Sequence, residues 1–247
     1  MKCPKCSFEQ PAQNVECIRC GLIFAKYKKR RSAPPVSKSL TMAREEIPPG
    51  VGGIIKNLFF FVKPETNPLI FSARVLLFLI IIVWGLIFVF STMESNYIGE
   101  SFWHLVNLPF HEAGHIIFRP LGRFMTSLGG TLGQLLMPLI CLVVFIVKTR
   151  DPFAASFSTW WLAVNFMDIA PYINDARSGT LPLLGGNTGR TSPYGFHDWE
   201  FILGESGLLK YDHGLADFSY MIGTVLMMVA FLWGGYMLFK QYQKLNP

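Results

Sequence analysis

The chain has 247 residues, of which 51% are hydrophobic and 15% are charged, and its mean hydropathy is +0.36. Because soluble globular proteins carry about 25% charged residues, this composition argues against a simple soluble enzyme and against a disordered or fibrous chain. Residues 1–50 contain ten Lys and Arg against four Asp and Glu, which accounts for the whole net charge of +6. Four of the five cysteines also lie in the first 20 residues. We therefore expect a small metal-bound head followed by a membrane-embedded body.

The head carries two CxxC pairs that are separated by ten residues. Each pair places two thiolates on one tight turn, and two such turns supply the four sulfur ligands that tetrahedral Zn²⁺ prefers. So short a segment buries too little apolar surface to fold alone, so metal binding would provide its folding energy. A thioredoxin-like redox motif is disfavoured because the βαβ context is missing. The sequence therefore predicts a structural zinc ribbon whose ligands are Cys3, Cys6, Cys17 and Cys20.

Polar segments connect this head to the body. Residues 1–31 are interpreted as the zinc ribbon with a basic tail, 32–50 as a Pro- and Ser-rich linker, and 51–63 as a segment lying in the membrane interface. The basic run Lys26–Arg31 precedes a membrane segment, so we expect it to meet anionic lipid rather than nucleic acid. The ribbon itself is expected to contact a cytosolic protein partner.

The remaining residues, 64–247, are expected to form a membrane domain. Four apolar runs, 69–92, 130–147, 153–173 and 217–239, are candidates to cross the hydrocarbon core. If the shorter stretch 101–118 is re-entrant, the Lys and Arg residues near 26–31, 148–150 and 240–244 all fall on the cytosolic side. Arg119 and Arg123 favour a fifth span instead. The predicted fold class is an all-α polytopic membrane protein with four or five transmembrane helices.

The stretch 101–118 contains the motif HEAGH. On a helix, residues i and i+4 share one face, so His111 and His115 can both direct a ring nitrogen at one Zn²⁺. Glu112 would then lie beside the metal without binding it, where it can take a proton from a water molecule. Ionisable residues inside an apolar segment are costly and call for a function. The sequence therefore predicts a second, catalytic zinc site in the body.

A catalytic zinc also needs a third protein ligand, and several residues are candidates. Asn165, Asp168, Tyr172 and Asp175 fall on one helical face, and Asp175 or Asp168 is the natural oxygen ligand. Asp175 could instead only cap the following loop. The later cluster His197-Asp198 offers His197 as a ligand, and Asn165, His197 or Asp198 as groups that hold the oxyanion or the substrate. His104 lies on the same helical face as His111, where a core position is favoured.

Taken together, three features resemble the site-2 protease family of intramembrane zinc metallopeptidases. They are HEAGH at 111–115, the stretch 122–130 ending in Gly-Gly, and the series Asn165, Pro171 and Asp175. The resemblance covers about residues 101–176. It implies that His111, His115 and Asp175 bind zinc, that Glu112 activates water, and that 122–130 forms a short strand. In place of the usual Leu-Asp-Gly, the sequence has Asn-Asp-Ala at 174–176.

The preferred hypothesis is an intramembrane zinc metalloprotease with one structural and one catalytic zinc. Its expected substrate is a membrane protein cut within or next to the bilayer, and its expected location is a bacterial inner membrane with the N-terminus in the cytosol. A non-proteolytic membrane metal-binding scaffold or accessory protein is the alternative. A third hypothesis, a cytosolic adaptor with the body as an anchor, leaves HExxH unexplained.

Overall fold

The computed structural model describes residues 1–26, 50–63 and 67–245. The chain divides into an N-terminal unit and a larger second unit that contains all the long helices. Residues 27–31 of the expected basic tail, and the expected linker apart from Gly50, lie outside the described residues.

The N-terminal unit consists of two similar turns. In each, the first cysteine of a CxxC pair accepts a backbone hydrogen bond, from Ser7 to Cys3 at 2.9 Å and from Gly21 to Cys17 at 2.8 Å. Ser7 and Gly21 have φ angles of 59° and 67°, the left-handed conformation that closes a tight turn. Only isolated bridges flank these turns in residues 1–26, so the structure supports a four-cysteine cluster and does not confirm the finer prediction of a zinc ribbon.

The second unit is helical, with no strand among the residues described in it. In chain order its α-helices are α1 (Val51–Phe59), α2 (Pro68–Phe90), α3 (Phe102–Phe118), α4 (Arg123–Val147), α5 (Pro152–Asn174), α6 (Asp198–Glu205) and α7 (Asp212–Leu245). The all-α prediction for the body is confirmed. The segment between α5 and α7 contains α6 and a 3-10 turn at Leu209–Tyr211.

Local sequence signals set where the long helices begin. The side chain of Asn67 accepts a hydrogen bond from the N–H of Leu69 at 2.8 Å, and Pro68 occupies the first turn of α2. Asp151 caps α5 in the same way, by accepting from the N–H of Ala154 at 3.2 Å. Both arrangements satisfy backbone donors that have no partner within the helix.

Helix α5 lies at the centre of the bundle. Its Trp160 and Met167 are fully buried and pack in one cluster with Phe88 of α2 and Met227 of α7. The helix also buries several polar side chains, namely Ser156, Ser158, Thr159, Asn165 and Asp168. Buried polar groups of this kind need partners inside the protein, so α5 is surrounded by other helices rather than by lipid.

The structure corrects the expected number of spanning helices. Among residues 1–26, 50–63 and 67–245, three helices are long and apolar enough to cross a membrane: Pro68–Phe90, Arg123–Val147 and Leu209–Leu245. The expected count of four or five is therefore too high by this measure. Helix α5 has 23 residues and connects the two ends of the bundle, but the polar side chains that it buries make it too polar to count as a span by this measure. Helix α3, with 17 residues, is shorter than these spans.

The two ends of the bundle differ in charge. One end, here called the basic end, contains the start of α2, the α4–α5 turn and the end of α7. An Arg74–Asp151 ion pair joins α2 to the α4–α5 turn, and Lys244 of α7 donates a hydrogen bond to the Val62 carbonyl at 3.1 Å. The Trp233 indole also donates to the Phe59 carbonyl there, at 2.9 Å. Its basic residues are Lys56, Lys63, Arg74, Lys148, Arg150, Lys240 and Lys244.

Candidate metal centre

The candidate centre is built where α3 and α4 cross at very short range. A Cβ atom added at Gly114 would lie 2.0 Å from the carbonyl oxygen of Gly129, and one at Gly133 would lie 2.3 Å from that of Phe110. Only glycine permits this approach. The expectation that 122–130 forms a short strand is wrong, because Arg123–Val147 is one continuous helix. The Gly-Gly pair at 129–130 therefore serves helix packing.

The two histidines of HEAGH lie side by side and are held by their Nδ1 atoms. Nδ1 of His115 is 2.7 Å from the carbonyl oxygen of Thr126, and Nδ1 of His111 is 2.8 Å from Oε1 of Gln134. A carbonyl oxygen only accepts hydrogen bonds, so each Nδ1 must carry the hydrogen. In the neutral ring this leaves the Nε2 lone pair free, the arrangement found when another group orients a metal-binding histidine.

Asp198 supplies a carboxylate to both histidines. Its Oδ2 lies 3.2 Å from Nε2 of His111 and 3.3 Å from Nε2 of His115. The three side chains are only 11–23% exposed, so the cluster is recessed but open on one side. Burial raises the pKa of Asp198, but when the two rings are protonated their Nε2–H groups donate to its carboxylate, and these bonds and charges lower that pKa below the usual range overall. This favours the carboxylate form, which is the form that binds a metal.

The spacing of these atoms fits a metal ion. Two ligands at about 2.0–2.1 Å from a tetrahedral zinc are about 3.3 Å apart, which matches the separations between Asp198 and the two histidines. The ligand atoms of His111, Glu112 and His115 also lie within 4.8 Å of one another. Gly130 keeps this space clear, because a Cβ added there would lie 2.5 Å from Nε2 of His111. His111, Glu112 and His115 could therefore hold a metal ion, and the Asp198 carboxylate lies within 3.3 Å of Nε2 of both histidines.

Asp175 is not brought to the histidines. Its carboxylate accepts bonds from the N–H groups of Thr180 and Leu181, both at 2.9 Å, and from the hydroxyls of Ser178 and Thr180. Its Oδ2 also lies 3.4 Å from Nε2 of His197. Burial raises the pKa of Asp175, but these bonds outweigh burial and hold it well below its usual range. Asp175 thus organises the loop after α5, as the capping alternative stated.

His197, which was a candidate ligand or oxyanion group, is fully buried. Its ring stacks on Tyr172 with centroids 4.2 Å apart, and its Nδ1 accepts the N–H of Glu200 at the start of α6. The Tyr172 hydroxyl in turn accepts the N–H of Asp198 at 3.1 Å. His197 and Tyr172 therefore position the first residue of α6, which is Asp198.

Asp168 and Asn165 belong to a separate polar cluster. The Asp168 carboxylate is 2.9 Å from Nδ1 of His104 and accepts from Nδ2 of Asn107 at 2.9 Å. Asn165 is buried and donates to the carbonyl of Trp161 at 3.0 Å. This cluster ties α3 to α5 and engages both carboxylate oxygens of Asp168, and among the described residues neither Asp168 nor Asn165 contacts His111 or His115.

The four cysteines of the N-terminal unit form a second candidate metal centre. Their sulfur atoms lie within 4.8 Å of one another, with Cys3 and Cys20 3.7 Å apart and Cys6 and Cys17 3.6 Å apart. Four thiolates at about 2.3 Å from a tetrahedral zinc are about 3.8 Å apart. Backbone hydrogen bonds outweigh desolvation and lower the pKa of Cys3 to about 6, while burial raises that of Cys20 to about 12. The cluster could hold a metal ion.

Comparison with known proteins finds no family model, no curated protein and no solved structure that matches this chain. The function is therefore inferred from the two candidate metal centres themselves.

Proposed function

We propose that the chain is a membrane zinc metalloprotease whose catalytic zinc is held by His111, His115 and Asp198. The observation that carries this proposal is the carboxylate of Asp198 at 3.2 and 3.3 Å from the two Nε2 atoms. Two histidines with one carboxylate are a ligand set of known zinc peptidases and leave the fourth position open. Compared with the set that the family resemblance implies, Asp198 takes the place of Asp175.

The residues around this site suit peptide hydrolysis. Zinc bound there would act as a Lewis acid, which acidifies water and polarises a peptide carbonyl. Glu112 takes the proton of the attacking water and returns it to the leaving amine. Gln134 and the Thr126 carbonyl keep both histidine rings in the tautomer that binds the metal. A substrate helix must unwind first, because its carbonyls are otherwise occupied by its own hydrogen bonds.

The resemblance to the site-2 protease family supports this proposal only through the helix that carries HEAGH. The stretch that was expected to be a strand is helical, and Asp175 has other partners. The proposal of peptide hydrolysis therefore depends on the residues of the site itself. We also propose that the four-cysteine cluster holds Zn²⁺ as a structural ion.

Reversible removal of the metal tests the function. The purified protein, reconstituted in liposomes, is incubated with a panel of single-span test proteins whose transmembrane helices contain a Gly-Pro break. We expect cleavage that o-phenanthroline abolishes and added Zn²⁺ restores, because the site needs its ion for catalysis. Fragments are identified by mass spectrometry.

The double variant Cys17→Ser/Cys20→Ser is the matched control. It should lose one of two zinc ions per chain and keep cleavage that is sensitive to the chelator. Cleavage that persists without metal would contradict the proposal, as would zinc-loaded protein that cuts no member of the panel.

We further propose that the basic end faces the cytosol. This end has seven Lys and Arg residues, and the sequence before α1 contains a further basic run at 28–31. Lys and Arg residues close to membrane-spanning helices concentrate on the cytosolic side. Thr126 belongs to the first turn of α4 and Asp198 to the segment between α5 and α7, so the metal centre lies towards the opposite end. The bond cut would then lie near the extracytoplasmic end of a substrate helix.

Cysteine labelling tests this orientation. In a Cys141→Ala background, Gly185→Cys in the segment between α5 and α6 should react with a membrane-impermeant maleimide on intact spheroplasts. Thr149→Cys, at the basic end, should react only after permeabilisation, and more strongly than the Cys141→Ala parent, which keeps Cys3, Cys6, Cys17 and Cys20. The reverse pattern would overturn the orientation and leave the proposed chemistry in place.

A further inference from the structure

A small cavity at the basic end lies apart from both candidate metal centres. Its volume is about 100 Å³, well below the roughly 300–1,000 Å³ of pockets that take drug-sized ligands. It therefore suits a single small polar group. The polar side chains around it are Lys63, Asn67, Arg74, Arg150, Asp151 and Gln241.

The charge of this cavity is positive. Among the described residues, Asp151 is the one acidic residue in its lining, and that carboxylate is already paired with Arg74 and bonded to the N–H of Ala154. Lys63 and Arg150 make no ion pair with other described residues. Arg150 lies over the ring of Phe61 at 5.2 Å, which orients its guanidinium. Within the part of the chain that the structure describes, these two positive charges have no acidic partner.

Gln241 indicates what accompanies the anion. Gln241 is only 4% exposed, and its Oε1 has no hydrogen-bond partner among the described residues. A buried acceptor of this kind normally has a donor. A phosphate ester that carries a nearby hydroxyl group offers oxygens to the two cations and a hydroxyl to Gln241.

The surroundings place the cavity where lipid head groups lie. Helices α2 and α5 both begin beside it; the Asp151 carboxylate already caps α5, whereas α2 is capped by the neutral Asn67, so the positive end of the α2 dipole favours an anion. Helix α1 precedes it and has no buried residue, with Val51, Ile54 and Ile55 exposed. A short helix with exposed apolar side chains and basic neighbours is typical of the membrane interface.

We propose that this cavity binds a phosphoglycerol group, with Lys63 and Arg150 as partners of the phosphate and Gln241 as acceptor of a glycerol hydroxyl. Arginine and lysine are the usual phosphate partners in proteins. The group can come from an anionic phospholipid such as phosphatidylglycerol or from a soluble glycerol phosphate. Neither source depends on the proposed protease activity.

The test compares two double variants that remove the same charge from the same end. Lys63→Gln/Arg150→Gln alters the cavity, whereas Lys56→Gln/Lys148→Gln alters cations outside its lining. Detergent-purified proteins are titrated with phosphatidylglycerol, phosphatidylcholine or glycerol 3-phosphate, and thermal unfolding and lipid retention in native mass spectrometry are recorded. Phosphatidylglycerol should stabilise the wild type and the control, and the cavity variant should bind it at least about tenfold more weakly.

The ligand series separates the two sources. Stabilisation by phosphatidylglycerol alone assigns the site to lipid, and equal stabilisation by glycerol 3-phosphate assigns it to a soluble ester. Gln241→Glu, which adds a negative charge inside the cavity, should also weaken binding and serves if the double variant fails to fold. Equal binding by cavity and control variants, or no preference over phosphatidylcholine, would overturn the proposal.

Discussion

Glu112→Gln is expected to reduce peptide cleavage by about 10²–10⁴-fold while both metal ions stay bound. General acid–base catalysis contributes a factor of this size. The amide has nearly the same shape as the carboxylate but cannot accept a proton at neutral pH. His111, His115 and Asp198 are untouched, so the metal should remain. Initial cleavage rates and zinc ions per chain are measured on the same preparation.

Glu94→Gln is the matched control for this change. Glu94 is an exposed acid in the segment between α2 and α3, so its substitution removes the same charge without touching the candidate site. It should leave both rate and zinc content unchanged. If Glu112→Gln cleaved as fast as the wild type, Glu112 would not be the base. Loss of one zinc ion in that variant would instead make Glu112 a ligand.

The sequence predicts those parts of the two centres that depend on local geometry. HEAGH brings His111 and His115 to one face because any α-helix places residues i and i+4 together. The CxxC pairs likewise bring two sulfurs together on each turn. In both cases the number of residues between two ligands determines the distance between their side chains, so each pair can be predicted without knowledge of the fold.

The third candidate ligand could not be anticipated in this way. Asp198 is 87 residues from His111 and reaches it through the folded segment between α5 and α7. Its neighbour His197 is a candidate ligand by residue type, but its ring caps the start of α6. Asp175 falls on the helical face that the sequence predicts, but helical periodicity does not show that Ser178, Thr180 and Leu181 donate hydrogen bonds to its carboxylate.

The number of apolar runs exceeds the number of candidate spans for a related reason. Hydropathy treats a residue as facing lipid or water, whereas α5 faces other helices and satisfies Asp168 with His104 and Asn107. The same limit applies to Gly129 and Gly130. Glycine pairs occur at strand ends and at close helix contacts, and only the partner helix α3, which contacts Gly129 through Gly114, shows which use applies here.

The roles of the two acids lead to opposite expectations for their amide variants. Asp198→Asn should lose the body zinc, so that the zinc content falls from two ions per chain to one. A neutral amide is a weaker ligand than a carboxylate, and the site would keep only two protein ligands where catalytic zinc normally has three. Loss of a group that only orients a ligand costs about 10–100-fold in metal affinity, so loss of the ligand itself should exceed this range.

Asp175→Asn should instead retain the body zinc with an affinity lowered by no more than about 10–100-fold. Asp175 acts on the site only indirectly. It contacts His197, and His197 caps the helix whose first residue is Asp198. The amide keeps one oxygen to accept from the 178–181 loop, so the loop should loosen without unfolding. Zinc content after dialysis against graded chelator concentrations measures both variants. Loss of the ion in Asp175→Asn, with retention in Asp198→Asn, would return the ligand role to Asp175.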